Sequence, residues 1–311
     1  MFLLIAAGPT GSGKSALAIC LAHKFGGEIV NCDSLQLYRG FDIGTAKTPP
    51  GDRRGVPHYL FDVLAPQESY SAGEYAREAR KVISEIAGRG RLPVVVGGTG
   101  FYLRALLEGL PVLPARDERL RDRLLEREQR RPGSLHRLLT RLEPAASSRI
   151  HAHDVQKTMR ALEVRLLTQR ALPPPAEATA LQGYTVIKLG LDPDRAALHQ
   201  RLETRTRAMF ESGLIEEVKG LLAAGATGDE KPFEALGYKQ ALLHLRGALT
   251  LEQALESTIV ETRQYSKRQR TWFRRDPEIR WLPGFGDGVE TLAGAITQVE
   301  AALHGADSTL N

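Results

Sequence analysis

Short apolar runs alternate with amphipathic segments over the first hundred residues of the chain. The apolar runs predict buried strands at residues 2–7, 28–32, 57–62 and 92–96. Apolar residues at helical spacing predict helices at residues 16–25 and 71–88. Nearly continuous apolar strands are typical of a parallel sheet that helices cover on both faces. The alternation therefore predicts an α/β fold with a doubly wound parallel sheet.

The pattern changes near residue 114. Residues 116–170 are helical throughout and rich in Arg and Glu, and a proline triplet at 173–175 follows them. A strand pattern returns at 184–189, and we expect this strand to rejoin the sheet. The rest of the chain is mostly helical, with helices predicted at 194–211, 214–223, 234–246 and 251–275 and a short strand at 279–282. We predict an α/β core of residues 1–113 and 180–311 that carries a helical insertion domain of residues 114–179.

Composition excludes several classes of protein. The chain has 311 residues, of which 42% are hydrophobic and 25% charged, as in ordinary globular proteins. No apolar run approaches the roughly 18 residues of a membrane span. The two cysteines, Cys20 and Cys32, form no C-x-x-C pair, which argues against a disulfide framework or a zinc finger. We expect a cytoplasmic protein that contacts no membrane and needs no obligate protein partner.

The most specific chemical motif follows the first predicted strand and opens the first predicted helix. Residues 8–15 match the phosphate-binding pattern G-x-x-x-x-G-K-[ST] at every fixed position. Backbone N–H groups of such a loop and the helix N-terminus form an anion site, Lys14 adds a charge, and the Ser15 hydroxyl can ligate Mg²⁺. The motif predicts a P-loop NTPase-like core that binds a diphosphate or triphosphate. The predicted binding residues are Gly8, Pro9, Thr10, Gly11, Ser12, Gly13, Lys14 and Ser15.

Two further segments follow strands at the edge where open α/β sheets bind ligands. Asp33 ends the strand at 28–32, and the turn Gly97-Gly98-Thr99-Gly100 ends the strand at 92–96. We therefore expect the Asp33 carboxylate and this turn to lie beside the phosphate loop.

The excess of positive charge, which is +5 for the whole chain, concentrates near the C-terminus. Arg263, Lys267, Arg270 and Arg274 share one helix face, and within residues 261–275 no acid stands four residues from any of them. An unpaired basic face near Tyr265 and Trp272 is typical of a protein that binds a polyanion such as RNA. The alternative is a solvated charged face with the aromatic rings packed inward.

Taken together and in order, these motifs resemble those of the bacterial tRNA dimethylallyltransferases, also called tRNA isopentenyltransferases. The resemblance runs from about residue 5 to 282. Besides the phosphate loop, it rests on residues 33–39, 42–47, 97–102, 149–151, 237–239 and 262–273. Departures include Leu37, Tyr59, the Ala152-His153 pair and the proline triplet, and none of them removes a group that the reaction needs.

The resemblance implies transfer of a dimethylallyl group from dimethylallyl diphosphate to the N6 amine of the adenosine just 3′ of the anticodon, with Mg²⁺ as cofactor. It implies that Lys14, Thr99 and Arg205 hold the diphosphate. Asp33 is implied as the general base, although a metal-ligand or capping role stays open for it, and Gln36 as a contact of the adenine edge. The residues implied in binding the tRNA anticodon stem-loop are Asp33, Ser34, Leu35, Gln36, Thr99, Arg121, Gln156, Lys157, Thr158, Met159, Arg160, Gly237, Tyr238, Lys239, Arg263, Lys267 and Arg270.

Three alternatives remain open at this stage. A P-loop small-molecule kinase or NTPase would use Asp33 or Asp62 as its acidic residue, but it assigns no role to the turn at 97–102. A transferase that prenylates free AMP, ADP or ATP would need neither the insertion nor the basic helix. An RNA-binding protein with a nucleotide switch would use the basic helix without catalysis.

Overall fold

Six parallel strands form one sheet with the strand that feeds the phosphate loop near its middle. The computed structural model describes residues 1–111, 113–170 and 180–307. The strand order is β3-β2-β4-β1-β5-β6, and every neighbouring pair is parallel. The strands are β1 (Phe2–Ala7), β2 (Gly27–Asn31), β3 (His58–Tyr59), β4 (Leu92–Val96), β5 (Thr185–Asp192) and β6 (Arg280–Pro283).

The described residues contain twelve α-helices. They are α1 (Lys14–Phe25), α2 (Ala72–Gly88), α3 (Gly100–Glu108), α4 (Glu118–Arg130), α5 (Ser134–Leu142), α6 (Pro144–Ser147), α7 (Val155–Thr168), α8 (Arg195–Glu211), α9 (Leu214–Ala223), α10 (Tyr238–Leu245), α11 (Leu251–Phe273) and α12 (Val289–Asp307). Within these ranges, none of the helices combines the length and apolarity that crossing a bilayer requires.

The predicted strands and helices are present, and β5 pairs with β1 as expected. The strand predicted at 57–62 is shorter, because Leu60 and Asp62 have φ angles of 62° and 55°, which end the extended backbone. The helix predicted from residue 234 begins only at Tyr238, since a 3₁₀ turn at Lys231–Glu234 precedes it. Helices α3 and α12 were not predicted. The proline triplet expected to end the insertion lies outside the described residues.

Helices cover the sheet on both faces, which explains why its central strand is apolar throughout. Leu4 and Ala6 of β1 belong to a buried cluster with residues of α1 and α12. Leu3 and Ile5 alternate with them and are also buried, so they face the opposite side of the strand. Helix α2 packs against β2 and β4. This packing fixes the carboxyl ends of β1, β2 and β4 next to one another.

The chain divides into two compact units, Met1–Leu107 with Leu181–Asn311, and Glu108–Ala180. The sequence predicted the first boundary between the units at 113–114, six residues after the boundary at 107–108 in the structure. Helices α4 to α7 form the second unit around an apolar cluster of their own. Its buried residues are Leu124, Leu135, Leu139, Ala146, Met159, Ala161 and Leu162.

One carboxylate fastens the helical unit internally. Glu163 is fully buried and accepts the Asp117 N–H at 2.8 Å. It also pairs with Arg160 at 2.6 Å and with Arg121 at 3.4 Å. The three partners come from two ends of the unit's sequence, so Glu163 joins the start of α4 to α7.

Replacing Glu163 with Ala should destabilise the helical unit, because two guanidinium groups and one N–H lose their acceptor. Breaking a fully buried pair costs about 3–5 kcal/mol, and the partial exposure of both arginines reduces our expectation to about 2–3 kcal/mol. Urea unfolding followed by circular dichroism measures the change. The control Glu126→Ala removes a surface ion pair with Arg130 and should change stability by less than about 0.5 kcal/mol. Equal stabilities of the two variants would contradict the role of Glu163.

Candidate functional site

The phosphate loop is built from glycines that no other residue could replace without strain. Gly11 and Gly13 have φ angles of 79° and 88°. A Cβ atom on Gly11 would lie 2.6 Å from a methyl group of Leu202, and one on Gly13 would lie 2.8 Å from the Gly286 nitrogen. Gly13 also precedes the first residue of α1, Lys14. The loop is therefore held closely between α8 and the segment after β6, at the N-terminus of a helix.

Two cations are enclosed beside this loop without a carboxylate to neutralise either. Lys14 Nζ donates to the Pro9 carbonyl at 2.8 Å, and Arg205 Nη2 donates to Thr10 Oγ1 at 2.8 Å. Desolvation by burial lowers the pKa of Lys14 to about 8 and that of Arg205 to about 10, while the negative charge of Asp33 acts in the opposite direction on both. Among the described residues, neither forms a salt bridge. The site is electrostatically suited to an anion.

The phosphate loop and the helix α8 beside it also contain buried hydrogen-bonding atoms that lack partners. Ser12 Oγ and Arg205 Nε are buried, and neither has a hydrogen-bond partner in the described part of the chain. Leaving such a group unpaired costs about 1–3 kcal/mol. Oxygen atoms of a phosphate are suitable acceptors for both.

Asp33 is held by the side chain of Asn31, at the end of β2. The Asp33 N–H donates to Asn31 Oδ1 at 2.8 Å, and Asn31 Nδ2 donates to the Asp33 and Leu60 carbonyls at 3.0 and 2.8 Å. Asp33 Oδ1 accepts the Leu35 N–H at 3.0 Å. Asp33 Oδ2 has no hydrogen bond within the described residues, so one carboxylate oxygen is available for chemistry. No sequence pattern pointed to Asn31 beyond its position two residues before Asp33.

Thr99 lies against the segment that follows Asp33. Its Oγ1 accepts the Ser34 N–H at 3.1 Å and lies 3.4 Å from Ser34 Oγ. Its own N–H donates to the Cys32 carbonyl at 3.2 Å. The ends of β2 and β4 are therefore joined, and the Thr99 hydroxyl faces the same segment as Asp33.

Gln269 of α11 connects the two loops of the site and was missed by the sequence analysis. Its Oε1 accepts the Thr10 N–H at 2.7 Å, and its Nε2 donates to the Gly98 carbonyl at 2.8 Å. A Cβ atom on Gly98 would lie 2.2 Å from this nitrogen, so the turn needs glycine there. Tyr265, one turn earlier, has its pKa raised by burial and by the charge of Asp33. Helix α11 thus presents an inward polar face to the site.

Four residues predicted to contact RNA are buried instead, which corrects the expectation of direct contact: Thr158, Met159, Gly237 and Tyr238. Thr158 and Met159 face the interior of the helical unit. Tyr238 is fully buried, donates to Glu217 and accepts the Gly44 N–H at 3.0 Å. Its ring supports the backbone of residues 42–45, because a Cβ on Gly44 would lie 2.4 Å from it.

The other residues predicted to contact RNA differ in exposure and in whether their side chains already have hydrogen-bond or ion-pair partners. Gln156, Lys157 and Lys239 are exposed, although Lys157 also pairs with Asp154 at 2.7 Å. Gln36 Nε2 donates to the Thr45 carbonyl at 3.0 Å. Arg121 and Arg160 are engaged with Glu163, as described above.

The basic face of α11 is largely neutralised, contrary to expectation. Arg263 pairs with Glu203 of α8 at 2.8 Å. Arg270 and Arg274 both pair with Asp192, at 2.6 and 2.7 Å. Spacing along one helix reveals only ion pairs within that helix. The acids that pair with these arginines come from α8 and from the end of β5. Lys267 is exposed and has no acidic partner among the described residues.

The second acid offered by the kinase alternative is used elsewhere. Asp62 forms an ion pair with Lys47, whose ammonium is almost wholly buried. Lys47 also pairs with Asp42 at 2.6 Å and donates to the Tyr38 carbonyl at 2.9 Å. Asp62 therefore fastens the segment after β2 and is committed to that role.

Gln269→Ala should weaken binding of inorganic diphosphate roughly tenfold, or about 1.4 kcal/mol, because the Thr10 N–H and the Gly98 carbonyl lose their partner. Gln269→Glu should weaken it further, since a carboxylate cannot donate to Gly98 and repels the anion. Isothermal titration calorimetry measures both. Gln264→Ala, an exposed position on the same helix, is the matched control. Wild-type affinity in Gln269→Ala would show that the bridge does not shape the anion site.

Comparison with known proteins agrees with the resemblance of the motifs. A family model described as IPP transferase matches residues 36–276. The tRNA dimethylallyltransferase of Solibacter usitatus is 57% identical over 308 residues, which cover 97% of this chain and 99% of that protein. The tRNA dimethylallyltransferase of Koribacter versatilis is 50% identical over 304 residues, covering 96% and 98%.

Two solved structures share the fold over nearly the whole chain. The full-length tRNA isopentenylpyrophosphate transferase of Bacillus halodurans superposes with a TM-score of 0.74 at 34% identity, covering 99% of this chain and 98% of that one. A eukaryotic dimethylallyltransferase acting on tRNA gives a TM-score of 0.81 at 28% identity, covering 98% of this chain and 79% of that one. The resemblance is confirmed, and this chain belongs to the IPP transferase family.

Proposed function

We propose that this protein is a tRNA dimethylallyltransferase, which transfers the dimethylallyl group of dimethylallyl diphosphate to the N6 amine of the adenosine adjacent to the anticodon. The single observation that carries the chemical part of this proposal is the pair of enclosed, unneutralised cations, Lys14 and Arg205, beside Asp33. Named relatives that align over nearly their full length support the same activity.

The cations are suited to a leaving diphosphate. When the allylic carbon–oxygen bond breaks, the electron pair stays on the diphosphate and positive charge develops on the five-carbon group. Lys14, Arg205 and the loop N–H groups would stabilise the negative charge where it develops. The planar guanidinium of Arg205 can donate two hydrogen bonds to phosphate oxygens.

A divalent cation fits this site only together with the substrate. No cluster of three or more His, Cys, Asp or Glu side chains in the described residues could hold a metal alone. The Ser15 hydroxyl is exposed in the first turn of α1 and makes no side-chain hydrogen bond within the described chain. Mg²⁺ often binds through few protein ligands and substrate phosphates. We assign Mg²⁺ to Ser15 and the diphosphate oxygens, where it would supply further charge stabilisation.

Asp33 is the proposed general base. The adenine amine is a weak nucleophile because its lone pair is delocalised into the ring. As the new carbon–nitrogen bond forms, the N6 proton becomes acidic, and Asp33 Oδ2 would accept it. Asn31 fixes the backbone that carries this carboxylate, and Thr99 positions the adjacent segment. The bond to the departing diphosphate breaks, the bond to N6 forms, and the proton passes to Asp33.

Binding of the anticodon stem-loop is proposed for exposed residues in each of the two units. In the helical insertion of residues 114–179, the exposed candidates are Gln156 and Lys157. In the core, they are Lys239 and Lys267. The target adenosine must leave its stack to reach Asp33, which costs a few kcal/mol and less in a loop than in a duplex.

The alternative activities receive no support. Asp62 is paired with Lys47, and the relatives described above are named tRNA dimethylallyltransferases. A transferase that acts on free nucleotides would leave the insertion without a role.

The proposal is tested by incubating the purified protein with Mg²⁺, radiolabelled dimethylallyl diphosphate and unmodified tRNA that carries adenosine beside the anticodon. We expect label in the tRNA, and none in tRNA with guanosine at that position. Label in free AMP or ATP, or phosphate release from ATP without labelled tRNA, would overturn the proposed function.

Asp33→Ala should lower the rate of transfer by at least a hundredfold while leaving tRNA affinity within about threefold, because a positioned general base contributes roughly 10²–10⁴-fold. Single-turnover kinetics measures the chemical step apart from binding. The surface control Asp52→Ala should behave as wild type. A loss of less than tenfold, or about 1.4 kcal/mol, would rule out general-base catalysis by Asp33.

Lys267→Ala should weaken tRNA binding and reduce the slope of log affinity against log salt by roughly 0.7–0.9, the value for one phosphate contact. Arg263→Ala should reduce that slope less, because the Arg263 guanidinium already pairs with Glu203. Fluorescence anisotropy with labelled tRNA at several salt concentrations separates the two. If the slope is unchanged in both variants, these residues do not contact RNA and the face is a solvated charged surface.

A further inference from the structure

Two large aromatic side chains are exposed at the rim of the site, and no step described above uses them. Trp272 is 40% exposed and Phe101 is 49% exposed. Phe101 follows Gly100 in the chain, at the start of α3, and Trp272 lies near the end of α11. Both therefore border the turn that carries Thr99.

The Trp272 ring is held in place by backbone on its inner side. A Cβ atom on Gly100 would lie 2.2 Å from both Cδ1 and Nε1 of the indole, so the ring rests directly on Gly100. Gly100 is one residue beyond Thr99, whose hydroxyl contacts the segment after Asp33. An exposed ring fixed next to the reacting groups is a flat apolar surface at the entrance of the site.

Positive charge flanks this ring along the chain. Arg268 lies one helical turn before Trp272 and Arg275 lies three residues after it, and both are exposed. The Arg268 guanidinium lies 5.7 Å from the centre of the Tyr265 ring. Neither arginine pairs with an acid in the described part of the chain. Cations on both sides of an exposed aromatic ring match the alternation of phosphates and bases in single-stranded nucleic acid.

We propose that Trp272 is a stacking platform for an unpaired RNA base that neighbours the reacting adenosine, with Phe101 bordering the same surface. This inference rests on the proposed function and names how the substrate loop is held. The reacting adenosine itself must reach Asp33, so the base on the rim belongs to an adjacent nucleotide. Any of the four bases can stack on one face of the Trp272 ring. The phosphates on either side of the stacked base would pair with Arg268 and Arg275.

Tryptophan fluorescence tests the contact directly. Trp272 and Trp281 are the two tryptophans of the chain, so Trp281→Phe leaves Trp272 as the sole reporter. Adding a synthetic, unmodified anticodon stem-loop RNA should quench this fluorescence with the same dissociation constant that anisotropy gives. A stem-loop with abasic sites on both sides of the target adenosine should bind with less quenching. Binding by anisotropy without any quenching would overturn the proposal.

Substitution gives an independent readout. Trp272→Leu keeps an apolar contact on Gly100 and should weaken stem-loop binding roughly tenfold, or about 1.4 kcal/mol, within the range for one stacked base. Trp272→Phe should restore most of the affinity, and the KM for dimethylallyl diphosphate should stay constant in both. Val260→Ala removes an exposed apolar side chain elsewhere on α11 and serves as the control. Equal affinities of wild type and Trp272→Leu would overturn the platform.

The two proposals fail in different ways. If the wild-type protein labels tRNA but Trp272 shows neither quenching nor loss of affinity, the stacking platform is wrong and the proposed function stands. If the stem-loop quenches Trp272 but no dimethylallyl transfer occurs, the proposed function is wrong and the platform stands as an RNA-binding surface.

Discussion

The site depends on positive charge that the protein encloses and does not neutralise. Lys14 and Arg205 lie beside the phosphate loop, where burial lowers the pKa of both groups. Asp33 is the acid whose charge reaches them, and it forms a salt bridge with neither within the described residues. Keeping two cations in such an environment is unfavourable unless an anion completes it. That constraint explains why a bound diphosphate, and its release as a leaving group, is the natural use of the site.

Gln269 holds together the two loops that form this site. One amide side chain joins the phosphate loop at Thr10 to the turn at Gly98, and it does so from the helix that also exposes Lys267 and Trp272. The inner face of α11 therefore shapes the diphosphate site while its outer face presents charge and an aromatic ring. The RNA contacts proposed for the outer face and the diphosphate site proposed beside the inner face therefore share one helix.

Local patterns predicted the elements of the fold and the loops of the site, because strands, glycine-rich turns and parallel-sheet edges follow from short-range rules. The phosphate loop, Asp33 and Thr99 lie together as expected. The prediction of an unpaired basic face failed because it depends on residues distant in sequence. Arg263 pairs with Glu203 of another helix, and Arg270 and Arg274 both pair with Asp192. The burial of Tyr238 and the bridge made by Gln269 also depend on tertiary packing, which spacing along one helix does not reveal.

The most direct test of the central claim is a crystal structure with an unreactive analogue of dimethylallyl diphosphate and an anticodon stem-loop RNA. We expect the diphosphate oxygens within hydrogen-bond distance of Lys14 Nζ and the Arg205 guanidinium. We also expect Asp33 Oδ2 within about 3 Å of the adenine N6 atom, the distance at which a base accepts a proton. A diphosphate bound away from both cations, or Asp33 turned away from the base, would contradict it.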